Sequence, residues 1–387
     1  MATNKARIMA AGPVEIPPSV LVNAALPQPH HRTKGFRMAF KEVCDGLQRV
    51  LLTKNTVLTM ACSGTGGMEA CVANLFSPGD EVIVAVTGAF GQRWADISKA
   101  YGLTVNQLDS EWGEPVNFTA LAEKIKASPN CAGVMATFSE TSTGIENDIK
   151  AIGELVKGTN AVLVVDGISG VGALPFRTDE WGVDALVVGS QKGFMMPPGL
   201  AFVALSGKAQ KRIEGSKCPK FYFSFAKALK AMTAEELPDT AFTPAVSLIL
   251  QLRESIKMIE KEGLENVWKR GARMGEAVRI AVRALGLKLL CSTNFSNVVT
   301  SVDCRDGKVD PSKVMKGLRE RFGISIIGGQ GKLKGKIFRV GHVGHVDDLD
   351  VLATVAALEL VLKESGVDVK LGAGVSAVQE FLLKSGS

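Results

Sequence analysis

Short apolar runs, rich in β-branched residues, recur along the first half of the chain and are separated by longer stretches with helical spacing. The runs cover residues 81–86, 133–137, 162–166, 185–189 and 200–205. They are apolar throughout rather than alternating, which is typical of strands covered by helices on both faces. Strands that alternate with helices in this way predict an α/β fold with a mostly parallel, doubly wound sheet.

The pattern changes near residue 244. Residues 244–259 have helical spacing, with Leu248, Leu252, Ser255 and Ile259 near one face. Strand-like runs at 296–302 and 336–340 then enclose helical stretches, and residues 375–383 predict a final helix. This part therefore predicts a smaller α+β domain. Because 387 residues suit two or three units, we expect an N-terminal extension (1–20), a large domain (21–260) and a small C-terminal domain (261–387).

Composition narrows the class of protein. The hydrophobic fraction of 46% and the charged fraction of 22% are those of a globular enzyme, and no apolar run is long enough to span a membrane. The N-terminus lacks a secretory pattern, which indicates a cytoplasmic protein. Seven scattered cysteines without a CxxC pair argue against disulfides and zinc. The net charge of +6 is modest and dispersed, so it does not favour nucleic-acid binding.

Two chemical groups stand at strand ends. Asp166 ends the run 162–166, and Lys192 follows the run 185–189. A lysine amine can form a Schiff base with an aldehyde cofactor, and an aspartate can keep the ring nitrogen of such a cofactor protonated. Aspartate and lysine also end strands in many unrelated α/β proteins. Taken alone, this pair could therefore have no role beyond the structure.

Three more groups follow strands at the edge where α/β proteins bind ligands. The glycine-rich run SGTGGME (63–69) enters a helix, where free backbone N–H groups favour an anion, although a plain glycine turn would look similar. It lacks the GxxxxGK[ST] pattern of a nucleotide loop. Phe90 can stack on a pyridine ring or belong to the core, and Thr141, in ETSTG (140–144), can bind a phenolic oxygen.

These segments, in their order, resemble the class V aminotransferases of pyridoxal phosphate (PLP) fold type I, especially the alanine–glyoxylate and serine–pyruvate group. The resemblance covers nearly the whole chain. The matching runs are AGP (11–13), SGTGGME, GAFGQR (88–93), ETSTG, VVDGISG (164–170), GSQKG (189–193), TPAVSL (243–248), LRES (252–255) and FRVGHVG (338–344). It implies a large domain with a mostly parallel seven-stranded sheet and a smaller C-terminal α+β domain.

The same resemblance implies pyridoxal 5′-phosphate as the cofactor and a role for each matching residue. Lys192 carries the cofactor and moves protons, and Asp166 binds the ring nitrogen. Arg339 binds the substrate α-carboxylate. The other expected cofactor contacts are Ile168 and Phe90 on the two ring faces, Ser63, Gly64, Thr65 and Gln191 at the phosphate, Thr141 at the phenolic oxygen, and Thr243 at the phosphate of a partner subunit.

The resemblance therefore implies transamination between a small L-amino acid, alanine or serine, and a 2-oxo acid, glyoxylate or pyruvate, in a homodimer with shared active sites. An aspartate- or phosphonate-type aminotransferase is an alternative, because residues 30–37 carry cations for a distal anion. A non-catalytic PLP-fold subunit is another. Gln191 stands where cysteine desulfurases carry histidine, which disfavours sulfur transfer.

Two further motifs predict no additional chemistry. His342 and His345 are spaced as in a metal motif, but no carboxylate or cysteine stands at ligand spacing, so no metal is expected. The glycine-rich residues 328–332 predict a mobile turn near the substrate entrance rather than a nucleotide loop.

Overall fold

The structure, a computed structural model, describes residues 5–385. Residues 1–4 of the expected N-terminal extension and residues 386–387 of the expected C-terminal domain lie outside them. The strands of the described part are β1 (Arg7–Ile8), β2 (Thr56–Met60), β3 (Glu81–Val86), β4 (Thr104–Asp109), β5 (Gly133–Thr137), β6 (Ser139–Glu140), β7 (Ile145–Glu146), β8 (Val162–Asp166), β9 (Ala185–Gly189), β10 (Ala201–Leu205), β11 (Lys288–Leu289), β12 (Val299–Asp303), β13 (Ile324–Ser325), β14 (Ile327–Gly328) and β15 (Ile337–Gly341).

Helices separate most of these strands. In chain order they are α1 (Pro18–Val22), α2 (Lys34–Val50), α3 (Gly64–Leu75), α4 (Ala89–Ala100), α5 (Phe118–Ala127), α6 (Ile149–Val156), α7 (Gly207–Gly215), α8 (Phe225–Thr233), α9 (Val246–Glu262), α10 (Leu264–Ala284), α11 (Pro311–Phe322), α12 (Asp348–Glu364) and α13 (Ala373–Ser385), with a short 3-10 turn at Gly331–Leu333. None of the described helices is both long and apolar enough to cross a membrane.

The central sheet has seven strands in the order β2-β10-β9-β8-β5-β3-β4. Strand β10 runs antiparallel to both of its neighbours, whereas β9, β8, β5, β3 and β4 are parallel. The predicted mostly parallel, seven-stranded α/β sheet is therefore confirmed. Because the carboxyl ends of parallel neighbours meet at one edge, the segments that follow β3, β5, β8 and β9 lie side by side.

Each central strand packs a different core on each face. Val82 and Val84 of β3 lie in a core with Trp94 of α4, whereas Ile83 packs on the opposite face with Leu47 of α2. Successive side chains of a strand point to opposite faces, so a strand that is apolar at every position serves both cores. This double burial explains why these strands are continuous apolar runs.

Some sequence-based boundaries were wrong. Strands β2 and β4 were not predicted. They are the two edge strands of the sheet, and β4 is largely polar, with Leu108 as its only buried residue. The strand predicted at 296–302 begins instead at Val299. In α9 the buried stripe includes Ile249 and Ile256, and Leu248 is only half-buried. The other three predicted positions, Leu252, Ser255 and Ile259, are buried.

A second sheet lies in the C-terminal part of the chain. Its order is β11-β12-β15-β14 and all of its pairs are antiparallel. Residues of α10, α11, α12 and α13 form an apolar core with it, including Met274, Leu318, Leu358 and Val378. Strand β1 pairs in parallel with β13, which attaches the N-terminal segment to this part. The domain boundaries at residues 20 and 260 stay predictions.

Candidate active site

Lys192 lies just beyond β9 and is buried, with 8% of its surface exposed. Its amine donates hydrogen bonds to the backbone oxygen of Ala11 and, at 3.2 Å, to Ser169 Oγ. Gly12 has φ of 109°, and a Cβ there would lie 2.2 Å from Lys192 Cδ. The N-terminal segment thus passes directly over the lysine. Burial lowers the pKa of Lys192 to about 8, although the negative charge of Asp166 opposes this shift.

Asp166 ends β8, the strand next to β9. One carboxylate oxygen accepts a hydrogen bond from the backbone N–H of Ile168 at 2.8 Å, and the other has no partner among residues 5–385. Burial raises the pKa of Asp166 to about 7, whereas the hydrogen bond from Ile168 lowers it. A buried carboxylate with one free oxygen is suited to accept a proton-bearing ring nitrogen, because that contact would stabilise its charge.

The glycine-rich loop forms the N-terminus of α3. Ser63 caps the helix, accepting from the backbone N–H of Gly66 at 3.4 Å. Within the described chain, the backbone N–H groups of Gly64 and Thr65 have no hydrogen-bond partner. A Cβ on Gly64 would lie 2.5 Å from Ile168 Cδ1, so glycine lets the loop approach that side chain. Two free amides at a helix N-terminus form a cradle for an anion.

The side chain of Gln191, immediately before the lysine, also lacks a hydrogen-bond partner within residues 5–385. Its buried Oε1 accepts no hydrogen bond from the described residues, and it lies close to Gly189 at the end of β9. Rotation of the side-chain amide presents either an acceptor or a donor at this point. An unpaired buried amide therefore marks a place where a polar ligand group fits.

Phe90 and Arg93 occupy the first turns of α4, after β3. Phe90 is half-buried. The guanidinium carbon of Arg93 lies 4.8 Å from the centre of the Phe90 ring, and Arg93 Nη1 donates to Thr65 Oγ1 at 3.0 Å. The aromatic ring and the glycine-rich loop are therefore joined through one arginine, which sequence reasoning did not single out.

Glu140 is a second residue that sequence reasoning missed. One of its oxygens accepts from the backbone N–H groups of Phe90 at 3.0 Å and Gly91 at 2.9 Å, and the other accepts from Ser142 Oγ at 2.5 Å. Ser142 Oγ in turn accepts from the Ala89 N–H at 2.9 Å. The N-terminus of helix α4 is thus capped by two side chains of the loop at residues 140–142. Burial raises the pKa of Glu140. The signal for Glu140 in the sequence was an acidic residue shortly after an apolar strand, β5.

Gly88 explains why this external cap is possible. It precedes α4 and offers no side chain to cap the helix. A Cβ at this position would lie 2.4 Å from Ser142 Oγ and 2.5 Å from the Glu140 carboxyl carbon. The missing side chain therefore makes room for the two residues that hold Phe90 in place.

Arg339 lies in the middle of β15, and only 2% of it is exposed. Its Nε and Nη2 donate to the backbone oxygen of Gly328 at 2.9 and 2.6 Å, and Nη1 donates to the backbone oxygen of Thr141. A guanidinium has five N–H groups, so these bonds leave a pair for a ligand. Burial lowers the pKa of Arg339 to about 10, opposed by Glu140.

The glycine-rich turn beyond Gly328 contacts the large sheet's loops. A Cβ on Gly331 would lie 2.8 Å from the Trp112 ring, and the Lys332 amine lies 5.5 Å from the centre of that ring. Since Gly328 also holds Arg339, this turn is tied to the arginine at its start and to Trp112 at its tip.

Comparison with known proteins identifies the family to which the chain belongs. The family described as Aminotransferase class-V matches residues 21–337. The chain belongs to the class V aminotransferases. Over 98% of its length it is 40% identical to the small subunit of a soluble hydrogenase of Synechococcus sp. (strain PCC 6716), of which 99% is covered. It is 36% identical to the L-aspartate–glyoxylate aminotransferase of Paracoccus denitrificans (strain Pd 1222), with 98% of this chain and 96% of that protein covered.

A solved structure agrees. The ureidoglycine–glyoxylate aminotransferase of Bacillus subtilis matches with a TM-score of 0.93 at 29% identity, over 98% of this chain and 99% of the other. The fold is therefore that of PLP fold type I, and the cofactor of this class V aminotransferase is pyridoxal phosphate. The unpaired amides at Gly64 and Thr65 and the free oxygen of Asp166 fit its phosphate and its ring nitrogen.

Thr243, expected at the phosphate of a partner subunit, lies away from the cleft of its own chain. Thr243 is exposed and lines a separate hollow with Tyr222 and Phe242. No hydrogen bond joins it to the glycine-rich loop within residues 5–385. The cations of residues 30–37 lie near this second hollow, where Arg32 pairs with Asp239 at 2.6 Å and Arg37 pairs with Glu235 at 2.7 Å.

The two histidines of the aminotransferase do not meet. His342 is buried between Thr300 Oγ1 at 3.0 Å and the backbone oxygen of Asn297 at 3.2 Å, and burial lowers its pKa to about 3. His345 is exposed. In the described part of the chain, no three His, Cys, Asp or Glu residues are grouped as metal ligands would be. His342 therefore packs as a neutral side chain.

Proposed function

We propose that the chain transfers the amino group of a small L-amino acid, alanine or serine, to glyoxylate or pyruvate. The observation that carries this proposal is the fixed guanidinium of Arg339, which keeps a pair of N–H groups for a carboxylate common to all of these substrates. Glyoxylate is favoured as the acceptor because two of the similar proteins are named for it.

In this proposal each residue acts on the substrate or the cofactor ring. Bound pyridoxal phosphate supplies an electron-withdrawing ring that lowers the cost of negative charge at the substrate α-carbon. Asp166 would hold the ring nitrogen through its free oxygen, and Phe90 and Ile168 would contact the ring. Arg339 would hold the α-carboxylate. Lys192 Nζ would hold the cofactor and, as a free amine, would move the α-proton of the substrate.

The depressed pKa of Lys192 supports its role as a base. At a pKa of about 8 a useful fraction of the amine is neutral near neutral pH, whereas an ordinary lysine is almost wholly protonated there. A general base works best when its pKa lies near the working pH. Burial thus favours the neutral form of the amine whenever the amine is free.

The choice of donor follows from the charges near the second hollow. Arg32 and Arg37 are each paired with an acid of the same chain, so their charges are already balanced. This favours a donor with a neutral side chain. An aspartate-type aminotransferase is the second candidate, because one similar protein is an L-aspartate–glyoxylate aminotransferase.

We further propose a homodimer in which Thr243 reaches the cofactor phosphate of the partner subunit. Phe221 and Tyr222 are 72% and 47% exposed and pack beside Phe242, next to Thr243. Large exposed apolar side chains in one patch are typical of an interface. The patch and the exposed threonine lie together, as a shared active site requires.

A mixing experiment tests the shared site. Lys192→Ala removes the lysine of one subunit and Thr243→Val removes the hydroxyl offered to the other. When the two inactive or weakened variants are mixed and allowed to exchange subunits, the hybrid regains one site with both native residues. We expect recovered cofactor affinity in the mixture; a mixture no better than its parts would show that Thr243 serves its own subunit or none.

The activity itself is tested by the visible absorbance of the purified protein. Alanine, serine and aspartate are added separately, and loss of the band of the lysine-bound cofactor identifies the donor. Recovery of the band with glyoxylate or pyruvate identifies the acceptor. Lys192→Ala should abolish turnover. A protein that binds PLP but never loses the band with any amino acid would favour a non-catalytic subunit, as the name of the hydrogenase relative suggests.

A further inference from the structure

Arg93 is a half-buried cation without an acidic partner. The one hydrogen bond of its side chain in the described chain goes from Nη1 to Thr65 Oγ1 at 3.0 Å, and its guanidinium lies against the Phe90 ring, with the guanidinium carbon 4.8 Å from the centroid. No ion pair with an acid is formed by Arg93 within residues 5–385. Four of its five N–H groups are thus available beside the glycine-rich loop.

The expected phosphate contacts lack a positive charge. Ser63, Gly64, Thr65, Gln191 and the partner's threonine are all neutral, while a phosphate monoester carries between one and two negative charges near neutral pH. Helix dipoles and amide N–H groups contribute, but hydrogen bonds from a cation are roughly twice as strong as neutral ones. The phosphate site predicted from the sequence therefore has no cation to balance the charge of the phosphate.

The other two cations of the cleft have different tasks. Lys192 donates to the backbone oxygen of Ala11 and to Ser169 Oγ, and in the proposed function it binds the cofactor aldehyde. Arg339 is held by the backbone oxygens of Gly328 and Thr141, on the side of the C-terminal sheet. Arg93 is the cation in the described chain that contacts a residue of the glycine-rich loop.

We propose that Arg93 binds the phosphate of the cofactor, donating charge-assisted hydrogen bonds beside the amides of Gly64 and Thr65. The proposal rests on the proposed function in that it takes the phosphate to lie at this loop. The hydroxyl of Thr65, which now accepts from Arg93, is free to donate its own hydrogen to the same phosphate. The contact to Phe90 keeps the guanidinium plane fixed between ring and loop.

The test compares two ligands that differ only in the phosphate. The apoprotein, with and without Arg93→Gln, is titrated with pyridoxal phosphate and with pyridoxal, and the absorbance of the lysine-bound form gives both affinities. We expect Arg93→Gln to weaken binding of pyridoxal phosphate about 10- to 100-fold, which corresponds to one hydrogen bond to a charged group. Binding of pyridoxal should change by less than about twofold on the same grounds. Arg93→Lys should recover part of the loss.

Lys99 provides a matched control. It lies in α4 as Arg93 does, but it is exposed, so Lys99→Gln removes the same charge from the same helix without touching the loop. We expect both affinities to be unchanged. In the wild-type chain, added salt should weaken binding of pyridoxal phosphate more than binding of pyridoxal, a measurement that does not depend on folding of any variant.

Equal losses for the two ligands in Arg93→Gln would overturn the proposal and show that Arg93 acts through the Phe90 ring. Unchanged affinity for both would overturn it as well. A wild-type chain that forms no lysine-bound cofactor at all would instead contradict the proposed function, and it is recognised before any variant is made.

Discussion

Replacement of Arg339 by lysine tests the placement of the substrate carboxylate most directly. Three N–H groups of the arginine donate to the backbone oxygens of Gly328 and Thr141, and two are left for a ligand. A lysine retains the charge but cannot satisfy both backbone oxygens and also make a forked contact with a carboxylate. The variant should therefore lose about one charge-assisted hydrogen bond to the substrate and part of its anchoring.

A hydrogen bond to a charged group contributes about 1.5–3 kcal/mol. The expected loss of transition-state binding is thus about 2–3 kcal/mol, or roughly 30- to 150-fold in kcat/KM at about 1.4 kcal/mol for each factor of ten. The half-reaction with alanine, followed by stopped-flow absorbance, measures it. Arg319→Lys, an exposed residue of α11, is the control for a general effect of this substitution.

Ethylamine, which lacks the carboxylate, separates binding from folding. It should react slowly with the wild-type chain, and Arg339→Lys should not slow it further. If the variant lost the same factor with ethylamine as with alanine, Arg339 would act by supporting the structure around Thr141, and the assignment of the carboxylate site would be refuted.

Three further predictions follow from buried charges. Capture of pyridoxal phosphate by the apoprotein should become faster as pH rises through about 8, because the neutral amine of Lys192 attacks the aldehyde; a rate that is flat from pH 6 to about 9 would contradict this. Glu140→Gln should lower the free energy of unfolding by about 2–3 kcal/mol and alter the absorbance of the bound cofactor, since it loosens Phe90. Glu146 is a neighbouring half-buried acid whose pKa is raised to about 7 by burial, so Glu146→Gln should not lower the free energy of unfolding and should leave the absorbance unchanged; urea unfolding and spectra decide. The folded pKa of Asp166 is about 7 against an ordinary 3.8. Its carboxyl therefore lowers stability progressively as pH rises from about 4 to about 7, and the whole loss is present above pH 7. Asp166→Asn should raise the melting temperature of the apoprotein more at pH 8 than at pH 5 while weakening cofactor binding, as differential scanning fluorimetry with and without PLP can show.

The sequence revealed the central strands because burial on both faces leaves a continuous apolar signature. It did not reveal β4, whose edge position lets polar residues such as Asn106 and Gln107 replace that signature. The candidate site was found where side chains follow those apolar strands, as Asp166 and Lys192 do. A residue's position after a strand is encoded locally, and that is why these two could be placed.

Contacts between distant segments could not be read in the same way. Glu140 stands in a quoted motif, but its bonds to the α4 amides depend on how two loops meet in space. Arg339 was expected to bind substrate, yet its anchoring by Gly328 comes from the pairing of β14 with β15. Thr141 was chosen for its hydroxyl, whereas the structure also uses its backbone oxygen. The spacing of apolar residues and the amino-acid composition do not indicate such bonds.

The crossing of the N-terminal segment over Lys192 has a consequence for biosynthesis. Met9 accepts from the backbone N–H of Gly341, Arg7 pairs with Ile324, and Ala11 accepts from the lysine. Residues 7–11 therefore emerge from the ribosome long before their partners are translated. Residues 7–11 can cover Lys192 only after β15 has been translated. Until then, the amine of the nascent chain is exposed to any aldehyde in its surroundings.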